Sequence, residues 1–251
     1  MANTTLVGLS RQMSLGRELD VVANNIANMN TTGYKADGAL FEEYLLGNAR
    51  AGDTGARVSF VRDRGVFHDM SQGPLDRTGN PLDVAIDGKG FLTVQTPAGQ
   101  RYTRNGALQI DNTGQLVTNE GFPVLGDNGP IMFQQTDHQV QISRDGTISV
   151  REGTATVDSA RGHLRVVTFD NPQQLQKDGS SNFNATQGAQ PQDTKNAGII
   201  QGAVEKSNVR GVVEMSRMIE LTRSYTQVAG ILQQQYDLGQ QSLDKLAEVP
   251  N

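Results

Sequence analysis

Apolar side chains recur at helical spacing near both ends of the chain, whereas the long middle follows a different pattern. Near the amino terminus, alternating steps of four and three residues separate Leu15, Leu19, Val22, Ile26 and Met29. This spacing predicts a helix with one apolar, heptad-like face. A further apolar set on an adjacent face comprises Leu6, Leu9 and Met13. We expect the helix to run from about Thr5 to Asn30, with a cap among residues 3–5, and to precede a left-handed Gly33.

A second and longer seam occupies the carboxy-terminal end. Steps of three and four residues connect Met215, Met218, Thr222, Tyr225, Ala229, Leu232, Tyr236, Gly239, Leu243 and Leu246. One helix over Val209–Leu246, capped by Ser207 or Asn208, would be about 57 Å long, against about 39 Å for the first helix. The shorter helix cannot cover the longer one, so part of the apolar stripe needs other apolar surface. A seam completed by other subunits is favoured, and an ordinary intramolecular helix pair is the alternative.

The middle of the chain carries the two-residue alternation of β-strands. Residues 81–170 contain several short apolar runs separated by turns, and Gln139–Val150 alternates on both sides of Asp145-Gly146, which predicts a hairpin. Strands at such short intervals are typical of an antiparallel sandwich or an irregular barrel. Residues 36–80 show no sustained period, although Val58, Phe60 and Val66 are candidates for short strands. Residues 171–200 are rich in polar residues and glycine. We expect mostly loop in both segments.

These patterns predict an α+β protein in which a β domain is inserted between paired terminal helices. The expected domains are a discontinuous, coiled-coil-like helical domain of residues 1–35 and 203–251, a linker or loop over 36–76, and an all-β antiparallel sandwich or barrel-like domain over 77–202. The terminal helices are expected to be poorly ordered in the free monomer and to fold on assembly.

Composition excludes several classes of function. The 251 residues carry a formal net charge of −5 and no cysteine, and the charges are interspersed, so we expect no nucleic-acid binding, no disulfide and no thiolate metal site. Ser10-Arg11-Gln12 interrupts the first apolar run too early for a secretory signal. No run approaches the roughly 18–20 apolar residues of a membrane span. We therefore expect a cytosolic protein, or one exported without a cleaved signal peptide and without membrane insertion.

No motif in the sequence predicts catalysis. His68, His138 and His163 are far apart and in no ligand spacing. The glycine-rich turn over residues 87–91 leads into a strand rather than a helix, unlike a phosphate-binding loop, and the turns over 111–114 and 127–129 lack the ligand set of a calcium loop. We expect no enzyme activity, no catalytic, cofactor-binding or metal-binding residue, and no cofactor.

Three blocks of sequence resemble the bacterial flagellar rod and hook proteins. The first is Ala23–Lys35, which reads ANNIANMNTTGYK; the second is Gly79–Phe91 with Tyr102–Gly106; the third is Ser207–Val209 with Glu214-Met215 and Met218-Ile219. The blocks lie in the family's order and cover most of the chain. Val204 and Thr226 depart from the family's usual residues at those positions, without changing the expected fold.

The resemblance implies a structural role in the axial part of the flagellum. Residues 38–44 and 72–75 are most similar to the proximal-rod branch of the family, which implies a subunit of the torque-transmitting drive shaft in the periplasm-spanning basal-body rod. Its partners would be copies of itself, other rod proteins of the proximal and distal rod, and the flagellar type III export apparatus. A distal-rod or hook-like subunit is the alternative, and a cell-wall-binding module or enzyme on the β domain is a more distant one.

The seams and their neighbouring asparagines supply the expected subunit contacts. The candidate interface residues are Leu15, Leu19, Val22, Asn24, Asn25, Ile26, Asn28, Met29, Asn208, Val209, Met215, Met218, Tyr225, Leu232, Tyr236, Leu243 and Leu246. The asparagines of the first helix have two interpretations, either a solvated helix surface or hydrogen bonds that fix the register against neighbouring subunits.

Overall fold

The computed structural model describes residues 2–45, 59–153, 157–179, 181–186, 188–194 and 198–247. A helix lies at each end of this part of the chain and antiparallel strands lie between them, which confirms the α+β class. The chain forms two compact units. We call Met1–Ala27, Asp37–His68 and Arg210–Asn251 the helical unit, and Asn28–Ala36 and Asp69–Val209 the β unit.

The elements have the following bounds. The helices are α1 Ala2–Ala27 and α2 Gly211–Ala247, and a 3-10 turn spans Pro172–Gln174. The strands are β1 Asp37–Leu45, β2 Ser59–His68, β3 Leu75–Arg77, β4 Val84–Ile86, β5 Phe91–Thr96, β6 Gly99–Thr103, β7 Leu108–Ile110, β8 Leu116–Thr118, β9 Leu125–Gly126, β10 Gly129–Pro130, β11 Asp137–Ile142, β12 Thr147–Glu152, β13 Asp158–His163, β14 Val166–Thr168, β15 Leu175–Asp178, β16 Asn182–Ala185, β17 Gln192–Asp193, β18 Ile199–Gln201 and β19 Ala203–Glu205.

In the helical unit, α1 and α2 pack against each other in antiparallel directions. A methyl group on Gly8 would lie 2.7 Å from Leu232 Cδ2, and one on Gly16 would lie 3.9 Å from Tyr225 Cε2. Buried Leu15, Val22 and Leu221 form the core, and the half-buried side chains around them are Leu19, Ile26, Met218, Tyr225 and Val228. The sequence pattern placed Thr222 and Ala229 on the inward face of α2, but the preceding residues, Leu221 and Val228, pack there instead. The inward face of an α-helix is wider than one heptad seam, so neighbouring positions can share it.

The segment expected to be a loop over residues 36–76 instead contains a two-stranded antiparallel sheet. β1 pairs with β2 from Asp37↔His68 to Leu45↔Ser59. Phe60 and Val66, which were strand candidates, lie in β2. A register shift between Leu40 and Phe41 breaks the two-residue alternation, which explains why the sequence pattern did not predict the paired sheet. Residues 46–58 of this expected loop lie outside the described residues.

The β unit is built from short antiparallel strands around two apolar clusters. Its largest sheet has the order β15-β16-β6-β5-β14-β17, and a second sheet has the order β11-β12-β13. The larger cluster includes Val94, Val124, Ile148 and Leu164. In the smaller cluster the rings of Phe91 and Phe183 meet edge to face. The predicted hairpin is confirmed as β11 and β12, and Gly146 in its turn has a positive φ of 103°.

Several predicted element bounds and caps are wrong. Strands β15 to β17 lie in the stretch expected to be mostly loop; they are polar strands with only single apolar anchors, such as Leu175 and Phe183, so alternation is weak. Helix α1 already includes residues 3–5, which were the candidate caps, and ends at Ala27 rather than Asn30. Helix α2 begins at Gly211, three residues beyond Asn208, whose side chain is used elsewhere in the β unit. Gly33 does adopt the predicted left-handed conformation, with a φ of 71°.

Candidate assembly surface

A buried ionic cluster organises the β unit, and it consists of Lys35, Arg104 and Glu205. Lys35 Nζ donates to Glu205 Oε1, and Arg104 Nη1 donates to Glu205 Oε2 over 3.0 Å. The side chains of Lys35 and Glu205 are each 1% exposed and that of Arg104 is 4% exposed. The Gly73 N–H also donates to Glu205 Oε1, over 2.9 Å. One carboxylate therefore joins three distant segments of the chain; we call this group the Glu205 cluster.

Two cations share one carboxylate in the Glu205 cluster, and backbone carbonyls compensate the excess positive charge. Lys35 Nζ donates to the carbonyl of Ser71 over 2.7 Å, and Arg104 Nη2 donates to that of Gly88 over 2.6 Å. Burial lowers the pKa of Lys35, and the charge of Glu205 opposes this effect. Burial also lowers the pKa of Arg104, again against Glu205. The carboxylate is thus what allows both cations to remain charged inside the unit.

Residues 31–36 form a strap that the β unit holds along its length. The Gly33 N–H donates to the backbone oxygen of Glu205 over 2.8 Å, and Ser181 Oγ donates to the carbonyl of Thr32. The Lys177 ammonium lies 3.8 Å from the centre of the Tyr34 ring. A methyl group on Gly33 would lie 2.4 Å from the Asn105 nitrogen, so this approach, like the positive φ, requires glycine.

Asn208 closes the strap at its other end. Its Oδ1 accepts the N–H of Ala36 over 2.7 Å, and its Nδ2 donates to the carbonyls of Asp69 and Ser71. We expected this side chain either to cap α2 or to contact another subunit. The structure instead gives Asn208 three backbone partners inside the β unit.

Like Asn208 in the β unit, Asn25 in the helical unit binds the backbone of another segment through its side-chain amide. It is 1% exposed; its Nδ2 donates to the carbonyl of Asp37 over 2.8 Å, and its Oδ1 accepts the N–H of Asp37 over 2.9 Å. Neither interpretation of the helix asparagines anticipated this contact, because the strand β1 was not predicted. Asn25 therefore connects α1 to the start of β1 within one chain.

Apolar side chains remain exposed on the two helices of the helical unit. On α1, Leu6, Leu9 and Met13 are 52%, 48% and 69% exposed; we call them patch A. On α2, Val212, Met215 and Ile219 are 81%, 46% and 56% exposed; we call them patch B. Ile231, Tyr236 and Leu238 add further exposed apolar area on α2. Exposed apolar patches of this kind mark sites of protein association.

The comparisons with known proteins place the whole chain in one family. The description "Flagella basal body rod protein" matches residues 6–35, "Flagellar hook protein FlgE/F/G D1 domain" matches 85–150, and "Flagellar basal body rod FlgEFG protein C-terminal" matches 200–245. A FlgF basal-body rod protein of Caulobacter vibrioides is 39% identical over 250 residues, which cover 99% of this chain and 100% of the relative. The chain belongs to the flagellar basal-body rod protein family.

Other members of the rod family match over similar lengths. The FlgF protein of Mesorhizobium japonicum is 34% identical, with 93% of each chain covered. The FlgG protein of Bacillus subtilis is 32% identical, with 90% of this chain and 92% of the relative covered. The Glu205 cluster takes Lys35 from the matched region 6–35, Arg104 from 85–150 and Glu205 from 200–245. It therefore brings together residues from all three matched regions.

The structure divides the predicted interface residues among several environments. Leu15, Leu19, Val22, Ile26, Met218 and Tyr225 pack between α1 and α2, and Leu232 is half-buried against Gly8. Asn28, Met29 and Val209 are half-buried in the β unit, whereas Asn24, Met215 and Tyr236 are exposed. The side chains of Leu243 and Leu246 lie outside the described residues. Arg104 lies in the second block of the family resemblance, but the sequence predicted no role for Arg104 or Glu205. The signal that could have identified Glu205 is its position directly after the apolar pair Ala203-Val204, an unusual place for a lone carboxylate.

A cavity of about 410 Å³ is lined by Asp127, His163, Arg165, Val166, Asp193 and Thr194, and Arg165 pairs with Asp193 at 2.8 Å. Within the described ranges, no three His, Asp or Glu side chains are grouped so that they could hold a metal ion.

Neither helix, over its described length, is both long and apolar enough to cross a membrane.

Proposed function

We propose that this rod-family protein is a structural subunit of the proximal rod of the bacterial flagellar basal body. The observation that carries the proposal is the 39% identity over the full length of a FlgF basal-body rod protein. The exposed apolar patches on both terminal helices support it, because an axial subunit needs surfaces that its neighbours complete.

The terminal helices are proposed to act as a coiled-coil-like pair that assembles with copies of the chain and with other rod proteins. Residues of the α1–α2 seam stiffen each subunit, and the exposed apolar residues join subunits. Many small contacts repeated along an assembly resist deformation, which is what a shaft that transmits torque requires. The β unit is proposed to close as a sandwich or barrel-like domain, with a structural rather than an enzymatic role.

Export through the flagellar type III apparatus would bring the chain to a periplasm-spanning rod without removal of a signal peptide. If the proposal holds, the mass of the subunit recovered from basal bodies matches the uncleaved chain. A subunit shortened at its amino terminus would contradict this route.

The function is tested by deleting the gene in the bacterium that carries it. We expect loss of motility, loss of filaments, and recovery of both by the intact gene. An epitope-tagged chain should co-purify with basal bodies and lie at the proximal end of the rod in a density map. A motile deletion strain, or a chain absent from purified basal bodies, would contradict the proposal.

A distal-rod position is the second candidate, since FlgG proteins of several bacteria are also 32–34% identical to this chain. The same density map distinguishes the two positions.

A further inference from the structure

The cavity of about 410 Å³ in the β unit brings together charged side chains from three places in the sequence. Asp127 lies in the turn between β9 and β10, His163 ends β13, Arg165 precedes β14, and Asp193 ends β17. The volume is in the range of sites that hold small molecules. The structural role proposed for the β unit makes no use of these residues; we call the site the Arg165 cavity.

Backbone hydrogen bonds fix the walls of the Arg165 cavity. The Asp127 N–H donates to the carbonyl of His163 over 3.2 Å, and the Thr194 N–H donates to that of Val166 over 2.9 Å. Val166 is 2% exposed and belongs to the larger apolar cluster of the β unit. The charged side chains therefore stand on segments that are ordered before any ligand arrives, which lowers the cost of binding.

Arg165 is oriented by one neighbour and keeps its terminal nitrogens available. Its Nε donates to Asp193 Oδ1 over 2.8 Å, and the side chain is 29% exposed. Neither Nη1 nor Nη2 has a hydrogen-bond partner among the residues that the structure describes. The two terminal nitrogens of a guanidinium form a planar fork that matches the two oxygens of a carboxylate. Arg165 is thus held in place for a ligand carboxylate.

Asp127 supplies an acceptor close to this fork. Its Oδ2 lies 3.3 Å from His163 Nδ1, but that ring nitrogen makes no hydrogen bond within the described part of the chain, so the carboxylate keeps its acceptor capacity. The pKa of Arg165 is raised mainly by the hydrogen bond to Asp193, and the charge of Asp127 adds to the effect. Asp127 therefore lies within electrostatic range of the Arg165 guanidinium.

The charges of the lining select the class of ligand. With a neutral His163 ring, the carboxylates of Asp127 and Asp193 outnumber the single guanidinium. A simple anion on Arg165 would be repelled by both carboxylates, and a simple cation on Asp127 would be repelled by Arg165. A molecule that carries a carboxylate and an ammonium group close together is attracted at both ends.

We propose that the Arg165 cavity binds an α-amino acid group, with the ligand carboxylate on the Nη fork of Arg165 and the ligand ammonium on Asp127. The group has two sources, a free amino acid or the free end of a diamino acid in a cell-wall peptide. The binding does not rest on the rod function proposed above; only the second source does, since the wall is met in the periplasm.

Titrations of the full-length, isotope-labelled chain test the proposal, followed by the amide shifts of residues 127, 163–165 and 193. We expect glycine to bind with a Kd of about 1–10 mM. Acetate, methylammonium and inorganic phosphate should each bind at least about tenfold more weakly, because none of them makes both contacts. Acetate or phosphate binding as tightly as glycine, or no saturable shift below about 100 mM glycine, would overturn the proposal.

Two variants test the assigned contacts through selectivity, which a general loss of structure would not change. Asp127→Asn should weaken glycine about tenfold and leave acetate equally or more tightly bound, so that the preference for glycine falls to about one. Arg165→Gln should weaken glycine and acetate alike and spare methylammonium. An unchanged preference for glycine in Asp127→Asn would contradict the assignment of the ammonium.

Arg151 provides the matched control for Arg165. It pairs with Asp158 at 3.3 Å, and the two side chains are 40% and 44% exposed, but neither residue lines the Arg165 cavity. Arg151→Gln should leave the Kd for glycine unchanged, and circular dichroism of all three variants should match the native chain. A loss of glycine binding in Arg151→Gln as large as that in Arg165→Gln would overturn the proposed site.

A further probe separates the two sources of the amino acid group. Diaminopimelate with one α-amine acetylated and the adjacent carboxyl amidated keeps one free α-amino acid group, as in a cell-wall peptide. Tighter binding of this probe than of glycine would support a wall peptide as the ligand, and tighter binding of glycine would support a free amino acid. Binding of neither would overturn the proposal and leave the rod function standing.

Discussion

Glu205 illustrates at the scale of one residue how the β unit depends on a buried charge. Its two oxygens accept from Lys35, Arg104 and the Gly73 N–H. Replacing Glu205 by Gln would keep the shape but leave two buried cations without a counter-charge. We expect Glu205→Gln to lower the free energy of unfolding by about 3–5 kcal/mol, measured by urea unfolding followed by circular dichroism.

Lys206, the next residue along the chain, provides the control for the Glu205→Gln variant. Lys206 Nζ pairs with Asp76 at 2.8 Å, but these side chains are 56% and 49% exposed. Lys206→Gln should therefore change the free energy of unfolding by less than about 1 kcal/mol. If both variants had similar small effects, the Glu205 cluster would not be important for the stability of the fold.

The sequence identified most residues of the strap but not their roles. Gly33, Lys35 and Asn208 belong to the blocks on which the family resemblance was based, and the left-handed Gly33 was predicted from local backbone chemistry. The partners of Lys35 and Asn208 were not predictable, because Glu205 and Ser71 are brought near only by tertiary structure. Pairings between side chains so far apart in sequence leave no periodic pattern along the chain.

At the scale of the elements, Gly106 shows how closely the segment before β7 approaches the strand β4. A methyl group on Gly106 would lie 1.7 Å from the backbone oxygen of Val84, the first residue of β4. Because backbone cannot move aside as a flexible side chain can, we expect Gly106→Ala to destabilise the chain by about 3 kcal/mol. Gly230 in α2 has no atom within 4 Å of such a methyl group, so Gly230→Ala should stabilise α2 by about 0.5–1 kcal/mol. Thermal unfolding of both variants measures these opposite effects, and a neutral Gly106→Ala would contradict the close approach.

Asn25 connects the helix α1, which was predicted, to the strand β1, which was not. Asn25→Ala removes both hydrogen bonds to the backbone of Asp37 and should cost about 1–3 kcal/mol for the buried groups left without partners. The neighbouring Asn24 is exposed, and Asn24→Ala makes the same change in helix propensity, so it should cost less than Asn25→Ala, which strands buried groups. The difference is measured by chemical unfolding of the monomers, and equal effects would show that the contact with β1 contributes nothing.

The elements differ in how far the sequence predicts them. Both helices were predicted because a period near 3.6 is maintained over many residues, and the hairpin of β11 and β12 was predicted because Asp145-Gly146 lies between two alternating runs. In the sheet of β1 and β2, only Phe60 and Val66 were strand candidates, and the pairing was missed because its register shift disrupts the alternation. The caps of α2 were mispredicted because Ser and Asn also suit the turns and straps that precede a helix.

At the scale of the whole molecule, burial is unevenly distributed. Leu221 is the one α2 residue with a buried side chain in the described part of that helix, although α2 has 37 residues. The β unit, by contrast, contains the two large apolar clusters. Ordering the backbone costs about 1–2 kcal/mol per residue, and isolated helices gain little beyond this without packing of an apolar face. In the free monomer, packing therefore contributes too little free energy to keep the distal half of α2 ordered.

We therefore predict that hydrogen exchange in the free monomer separates the helices from the β unit. Amides of β5, β6 and β12 should exchange slowly because they open only with global unfolding, whereas those over 230–246 should exchange close to the rate of an unstructured chain. In assembled basal bodies the same helical amides should become protected, because neighbouring subunits are proposed to cover the exposed apolar residues of this part of α2, which include Ile231, Tyr236 and Leu238. Strong protection across 215–246 in a proven monomer would contradict the prediction, since it would show that α1 alone suffices to order α2. The comparison also bears on the proposed export, because a chain whose ends are unstructured would present no folded helix to an export channel. Such a chain would gain its stiffness only where neighbours supply the missing apolar surface.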